Sequence, residues 1–335
     1  MAGAGFDGPH GTTSRPVVVT GADGFVGHAL CVHLAAVGRP FRAIVRAPGH
    51  ERPWRVPPVA LGDLATVGDG ELENALAGAA AVVHLAGRAH VMRERASDPR
   101  MLYRAANVHA TERVVRAAQR VGVTRFVLAS SVKVCGERTR RGHAFEPGSR
   151  LRPRGPYARS KAEAERVVLR ACEGTSLAPL LLRLPLVYGP RVGANFARMM
   201  DVIARERWLP LGAVQNRRSL IYVGNLVEAI EATLSTPEPV TGAHFVADAN
   251  AVSTTELLRA IGTAVGTPAR LGSVPAWLVR AAGTLVGRGA VVSRLLDDLE
   301  VDSTSFRVAT RWKPRYSLED GLDATAAWWR TRHSI

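Results

Sequence analysis

The chain has 335 residues and a net charge of +15, from 44 basic and 29 acidic side chains. With 47% hydrophobic and 22% charged residues it is composed like a globular protein, which excludes wholesale disorder. At about 150 residues per domain the length corresponds to two units, or one large domain with an elaborated end. No apolar run reaches the ~18 residues of a membrane span. The best stretch, 275–296, is broken by Arg280, Arg288 and Arg294. Residues 1–15 are Gly-rich and lack a signal peptide's apolar segment, so they read as a flexible leader. Cys31, Cys135 and Cys172 lie far apart with no Cys-x-x-Cys. That spacing argues against a disulfide framework or a metal site, and for a reducing cytoplasm.

Of the basic residues only Lys133, Lys161 and Lys313 are lysines, which leaves 44 − 3 = 41 arginines. Such a bias is what a GC-rich genome produces. An acidic ligand, a nucleic acid or an anionic membrane surface are the other readings. The arginines are dispersed, and even Arg138-Thr139-Arg140-Arg141 has no interleaved aromatics, which argues against a nucleic-acid surface.

In chain order, Val17-Val18-Val19-Thr20 reads as a buried strand running into a glycine-rich turn and a helix that ends at Gly38. Strands follow at 41–45 and 56–61, then a short helix at 71–77, a strand at 81–85, a long helix at 101–121 and a strand at 125–129. A helix at 157–172 and a strand at 177–184 complete the series. Apolar strands alternating with helices predict an α/β fold with a doubly wound parallel Rossmann sheet over residues 16–188. Beyond Tyr188 the rhythm changes, to helices near 195–205, 225–234 and 255–265 and strands at 220–223 and 244–247. This predicts a smaller C-terminal α/β substrate lobe, 189–335, partly interleaved with the first and closing over the sheet's carboxyl edge.

The turn Gly21-Ala22-Asp23-Gly24-Phe25-Val26-Gly27 sits between strand and helix, where unpaired N–H groups and the helix dipole bind a pyrophosphate. Its spacing is Gly-x-x-Gly-x-x-Gly. A carboxylate at the end of the second strand would bind the ribose hydroxyls of NAD, but no Asp or Glu occurs between Asp23 and Glu51. Arg46 ends that strand instead. A guanidinium there suits a 2′-phosphate, so NADP(H) is favoured, with NAD(H) the alternative and Arg42 a weaker helper.

Tyr157 and Lys161 stand four apart at the start of a helix, hence on one face. A nearby ammonium and the positive nicotinamide ring would favour the phenolate, making Tyr157 a usable acid or base. Ser131 follows directly on a strand, where its hydroxyl can reach a substrate carbonyl.

With these residues in place, the chain from about Val17 to Leu322 resembles the extended short-chain dehydrogenase/reductases, in particular the nucleotide-sugar epimerase/dehydratase group. The resemblance rests on Thr20-Gly21-x-x-Gly24-Phe25-x-Gly27, Gly62-Asp63-Leu64, His84-Leu85-Ala86-Gly87, Asn107-Val108-x-x-Thr111 and Ser130-Ser131. It rests also on Tyr157-x-x-x-Lys161, Val187-Tyr188-Gly189-Pro190 and Arg218-Ser219-Leu220. It implies a homodimer paired through the helices at 101–121 and 157–172. It implies a catalytic set of Ser131, Tyr157, Lys161 and Asn107: Ser131 binds the reacting oxygen, Tyr157 transfers the proton, Lys161 holds the nicotinamide ribose, and Asn107 supports the network. The cofactor contacts it implies are Gly21, Asp23, Gly24, Phe25, Val26, Gly27, Arg46, Asp63, Leu64, Leu85, Ala86, Gly87 and Leu184, besides Tyr157 and Lys161. Arg88, His90, Ser131, Asn195 and Arg218 would meet a UDP-sugar, the last two at its diphosphate.

Three positions depart from the family pattern. Cys135 replaces a usual Tyr, Leu186 an Asn, and Asn225 a frequent Asp. Val132-Lys133 occupies the place where a 4,6-dehydratase carries an acid/base carboxylate pair, which disfavours that chemistry. The expected activity is hydride transfer at C4 of a UDP-linked N-acetyl-amino sugar, as 4-keto-sugar reduction for surface polysaccharide. The alternative is a UDP-sugar 4-epimerase with tightly bound NAD. A non-catalytic NADP-binding regulator is the reading of another class.

Overall fold

The computed structural model describes residues 15–49, 52–89 and 98–333. Seven strands, β1 (Val17–Thr20), β2 (Phe41–Val45), β3 (Val59–Ala60), β4 (Ala81–His84), β5 (Arg125–Ser131), β6 (Ala178–Leu184) and β9 (Gly242–Phe245), form one sheet. Its order is β3-β2-β1-β4-β5-β6-β9, and every pairing is parallel. β7 (Leu186–Tyr188) and β8 (Leu220–Tyr222) pair as a separate parallel ribbon. Strand order reverses between β1 and β4, so their carboxyl ends diverge and open a crevice there.

The central strands read as unbroken apolar runs because both faces of the sheet are covered: all four residues of β1 and of β4 are buried. One face packs on α1 (Phe25–Ala36) and α7 (Val223–Ser235) through Leu30, Leu34, Leu226 and Ile230. The other packs on α2 (Asp69–Leu76), α4 (Ala110–Arg120) and α5 (Gly155–Cys172) through Leu72, Val114, Val115 and Val168. A third apolar cluster joins α6 (Ala194–Ala204), α8 (Thr254–Val265) and α12 (Leu318–His333) through Phe196, Ile261, Leu322 and Trp329. The two halves interleave, since β9 returns to the main sheet and α7 packs on α1.

Three elements differ from the sequence expectation. The strand at 56–61 shrinks to Val59–Ala60, because Pro57 and Pro58 cannot donate to a ladder. The helix at 101–121 is instead α3 (Pro99–Arg104), a π turn over Ala105–His109, and α4. Asp98 caps its start, accepting from the Arg100 and Met101 N–H groups. Finally, α9 (Ala276–Leu285) and α10 (Gly289–Leu296) form a helical hairpin where the sequence showed only an arginine-broken apolar stretch; α11 (Thr304–Thr310) follows it. Residues 1–15, the expected leader, lie outside the described residues except for Arg15.

Candidate active site

The glycine turn is a cradle that side chains would fill. Gly21 has φ +68°, and a Cβ there would lie 2.7 Å from the Ala86 nitrogen; one on Gly27 would lie 2.2 Å from the Gly21 carbonyl oxygen. Gly24 caps α1 without a side-chain hydrogen bond, so the first N–H groups of the helix face the crevice unsatisfied. The cleft of about 350 Å³ above it is lined by Asp23, Arg46, Asp63, Leu64, Leu85 and Gly87, among others. Asp23 is held by a bidentate ion pair from Arg52, at 2.7 and 2.9 Å. Asp63 accepts the Ala65 N–H and so fixes its own turn. Arg46 is exposed at the rim of this cleft, whereas Arg42 donates to the Ala75 and Ala77 carbonyls at the end of α2 and points elsewhere. Phe25 and Val26 turn away, Phe25 into the third apolar cluster and Val26 into the first; Leu184 likewise sits in the core.

At the carboxyl end of β5, Ser131 is hydrogen-bonded to the Tyr157 phenol and accepts the Lys133 N–H at 3.3 Å. Tyr157 packs edge-on against Tyr103, with ring centroids 5.9 Å apart. Lys161, one turn on, is 7% exposed, and among the described residues its ammonium makes no hydrogen bond or ion pair. Burial lowers its pKa to about 8, opposed by the negative charge of Glu165. Among the protein's own groups, burial dominates at Tyr157. Burial raises its pKa, and the Ser131 hydrogen bond acts in the opposite direction.

Sequence reasoning missed the support beneath this cluster. Glu165, on the same face of α5 as Tyr157 and Lys161, accepts from Ser130 Oγ at 2.5 Å and from Arg183 at 3.1 and 2.9 Å, all buried. Its i+4 and i+8 spacing from the two was the available signal. Arg183 also reaches the Pro147 carbonyl and Cys135 Sγ, which makes Cys135 a packing residue. Asn225 is likewise structural. It accepts from the Arg315 and Tyr316 N–H groups and donates to Asp248.

A second polar chain fixes the cofactor side. Thr111 Oγ1 donates to the Asn107 carbonyl, so it must accept from His84 Nε2; His84 Nδ1 then accepts from Thr20 Oγ1, which in turn accepts the Ala86 N–H. Full burial keeps the imidazole neutral, with its pKa lowered to about 3. The chain ties the end of β4 to the π turn. Asn107 projects from that turn, accepting the Arg88 N–H at 2.7 Å and donating to the Arg88 carbonyl at 3.2 Å and to Ser160 Oγ at 2.9 Å. A Cβ on Gly87 would lie 2.7 Å from Asn107 Oδ1, so this approach also requires glycine.

In the C-terminal half, Arg218 is half-buried and donates to the Asp297 carbonyl at 2.8 Å. The charges of Arg218 and Arg294 both bear on Lys133, whose pKa is lowered chiefly by burial. Next to these three cations opens a groove of about 1020 Å³ whose walls include Arg138, Arg140, Arg152, Arg154 and Arg294. Arg88 lies over the Tyr103 ring at 5.5 Å. Leu186 is 44% exposed, so no amide stands at that position to contact a ligand. The backbone of Asn195 lies in the first turn of α6, and His90 falls outside the described residues.

A glycine cradle at the switch point of a parallel sheet, beside a Ser–Tyr–Lys cluster, defines a dinucleotide-dependent oxidoreductase fold. Residues 17–261 match the model of the NAD dependent epimerase/dehydratase family, and the chain belongs to that family. It is an enzyme, and its cofactor class is the pyridine dinucleotides. The chain is 34% identical over 314 residues to a UDP-glucose 4-epimerase of Vibrio cholerae, covering 93% of this chain and 94% of that one. Among solved structures it is similar to MoeE5 in complex with UDP-glucuronic acid and NAD, at TM-score 0.74 and 26% identity over 96% of this chain and 100% of that one. The UDP-glucuronic acid 4-epimerase from Bacillus cereus in complex with NAD shares the fold, at TM-score 0.76 and 18% identity over 95% and 98% of the two chains.

Proposed function

We infer that the protein transfers hydride at C4 of a UDP-linked sugar, acting as a 4-keto-sugar reductase. The observation that carries this reading is the Tyr157–Ser131 hydrogen bond beside the buried Lys161 ammonium, at the mouth of the glycine cradle. When bound, the dinucleotide supplies or accepts the hydride. The cradle fits its pyrophosphate, and the unpartnered Lys161 ammonium fits a ribose hydroxyl. Ser131 fixes the C4 oxygen by hydrogen bond, and Tyr157 gives that oxygen a proton. Tyr157, a neutral phenol at neutral pH as a tyrosine ordinarily is, can donate to a carbonyl oxygen, as reduction requires. Arg218, Arg294 and Lys133 would offset the charge of a diphosphate, and the cationic groove would carry the rest of the nucleotide sugar.

The second reading, 4-epimerisation with retained cofactor, is favoured by the similarity to the Vibrio cholerae UDP-glucose 4-epimerase. Both readings use the same three side chains. Supplying UDP-4-keto and UDP-N-acetyl sugars while following NADPH absorbance separates them. Stoichiometric oxidation supports reduction, whereas sugar interconversion without net oxidation supports epimerisation and overturns the first reading. Arg46 at the cleft rim favours NADP over NAD, although MoeE5 holds NAD. The Kd of both dinucleotides, for the natural protein and Arg46→Ala, tests the preference. A role in polysaccharide synthesis belongs to the same proposal. So does a cytoplasmic setting, which the three buried, unpaired cysteines support. A homodimer through α3–α4 and α5 would cover the exposed Met101, Leu102 and Leu169.

A further inference from the structure

We propose that the α9–α10 hairpin docks the enzyme on an anionic lipid surface. α9 touches the rest of the protein along one narrow line. Gly283 is buried against α10, where a Cβ would fall 2.3 Å from Val292 Cγ2, and Val279 is half-buried. The opposite side carries Trp277, Leu278, Ala281, Ala282, Leu285 and Val286, at spacings i, i+1, i+4, i+5, i+8 and i+9. At 3.6 residues per turn these six form one continuous arc of roughly 180°. All six are exposed: Trp277 by 68%, Leu285 by 88% and Val286 by 67%. Trp208, 61% exposed, lies against Gly272 just ahead of α9 and sets a second indole at the base of the hairpin. A contiguous apolar arc of this kind marks a surface that another body covers.

Charge identifies the occupant. No acidic residue occurs between Glu256 and Asp297 in a chain of net charge +15. Arg280 pairs with Asp297 at 2.8 Å, which neutralises that carboxylate, and Arg288 stays exposed at the end of the arc. A self-complementary contact between two copies would bring two such basic faces, each with an exposed Arg288, toward one another. An anionic headgroup layer attracts that charge, while accepting the aliphatic side chains below and the indoles at the boundary. No helix of the described residues is long and apolar enough to cross a membrane, so the hairpin lies on the surface rather than through it. α10 carries Ala290, Ser293 and Arg294 into the cationic groove, so docking sets that wall of the groove beside the lipid.

The test sediments the full chain with vesicles of phosphatidylglycerol and phosphatidylethanolamine, or of phosphatidylcholine alone. The protein pellets with the anionic vesicles, and Trp277→Ser combined with Leu285→Ser weakens that binding roughly tenfold or more. Val308→Ser removes an apolar side chain that is 75% exposed elsewhere and leaves binding unchanged. Turnover of a soluble nucleotide sugar is unaffected in the double variant, because neither residue lines the cleft or the groove; this confirms that the variant is folded. Three results would overturn the proposal: no pelleting with anionic vesicles, pelleting unaltered by the double substitution, or a concentration-dependent dimer that the double substitution dissolves. The last would make the arc an interface between copies.

Discussion

Asn107 grips Arg88 at both ends of its backbone, accepting the N–H at 2.7 Å and donating to the carbonyl at 3.2 Å. This clamp holds the segment after β4 against the π turn, and Gly87, next to it, has no room for a side chain. The clamp therefore fixes the edge of the cleft that Gly87 lines above the glycine turn. Asn107→Ala removes both bonds to the part-buried Arg88 backbone, at a cost of about 1 kcal/mol for each bond lost. Urea unfolding should show that loss, and kcat/KM should fall by more than the stability change explains. Asn107→Asp, which cannot donate, should keep the bond to the Arg88 N–H and lose the other two.

The glycine cradle makes a graded prediction. A methyl group on Gly27 would meet the Gly21 carbonyl oxygen at 2.2 Å, whereas one on Gly24 would lie 3.1 Å from the same atom. Gly27→Ala should abolish dinucleotide binding measured by fluorescence, and Gly24→Ala should reduce it only partly. Equal losses in the two variants would contradict this account of the turn.

Lys161 makes the ligand-free protein and its complex respond to pH with opposite signs. Its folded pKa, about 8, lies below the unfolded value, so the fold disfavours the ammonium. Between pH 8 and about 10.4 the unfolded chain binds more protons, and the stability of the free protein should rise with pH by up to about 3 kcal/mol. If the ammonium donates to the dinucleotide as proposed, binding should weaken over the same interval. Lys161→Met should flatten both slopes, as followed by unfolding and by titration at pH 7, 8, 9 and 10.

The parallel sheet was legible because strands buried on both faces, such as Val17–Thr20 and Ala81–His84, are continuous apolar runs between helical patterns. The glycine turn and the Tyr157/Lys161 pair were legible because their chemistry is compressed into neighbouring positions. Other features were not. The Glu165–Arg183 pair joins a helix to a strand 18 residues away, and a charged residue in a helix gives no local sign that it is buried. The break at Asn107 is a π turn inside an unbroken helical pattern, set by the hydrogen bonds of Asn107 and Thr111 rather than by any breaker residue. The burial that raises the Tyr157 pKa was not legible either, because spacing reports which residues share a face but not how deeply they are covered.

Replacing Tyr157 by Phe tests the central claim most directly. The phenyl ring keeps the packing on Tyr103 and removes only the hydroxyl that meets Ser131, so dinucleotide Kd should change little. Turnover should drop by about 10²- to 10⁴-fold, the range of positioned acid–base catalysis. Full turnover by Tyr157→Phe, with the cofactor still bound, would show that the proton moves by another route.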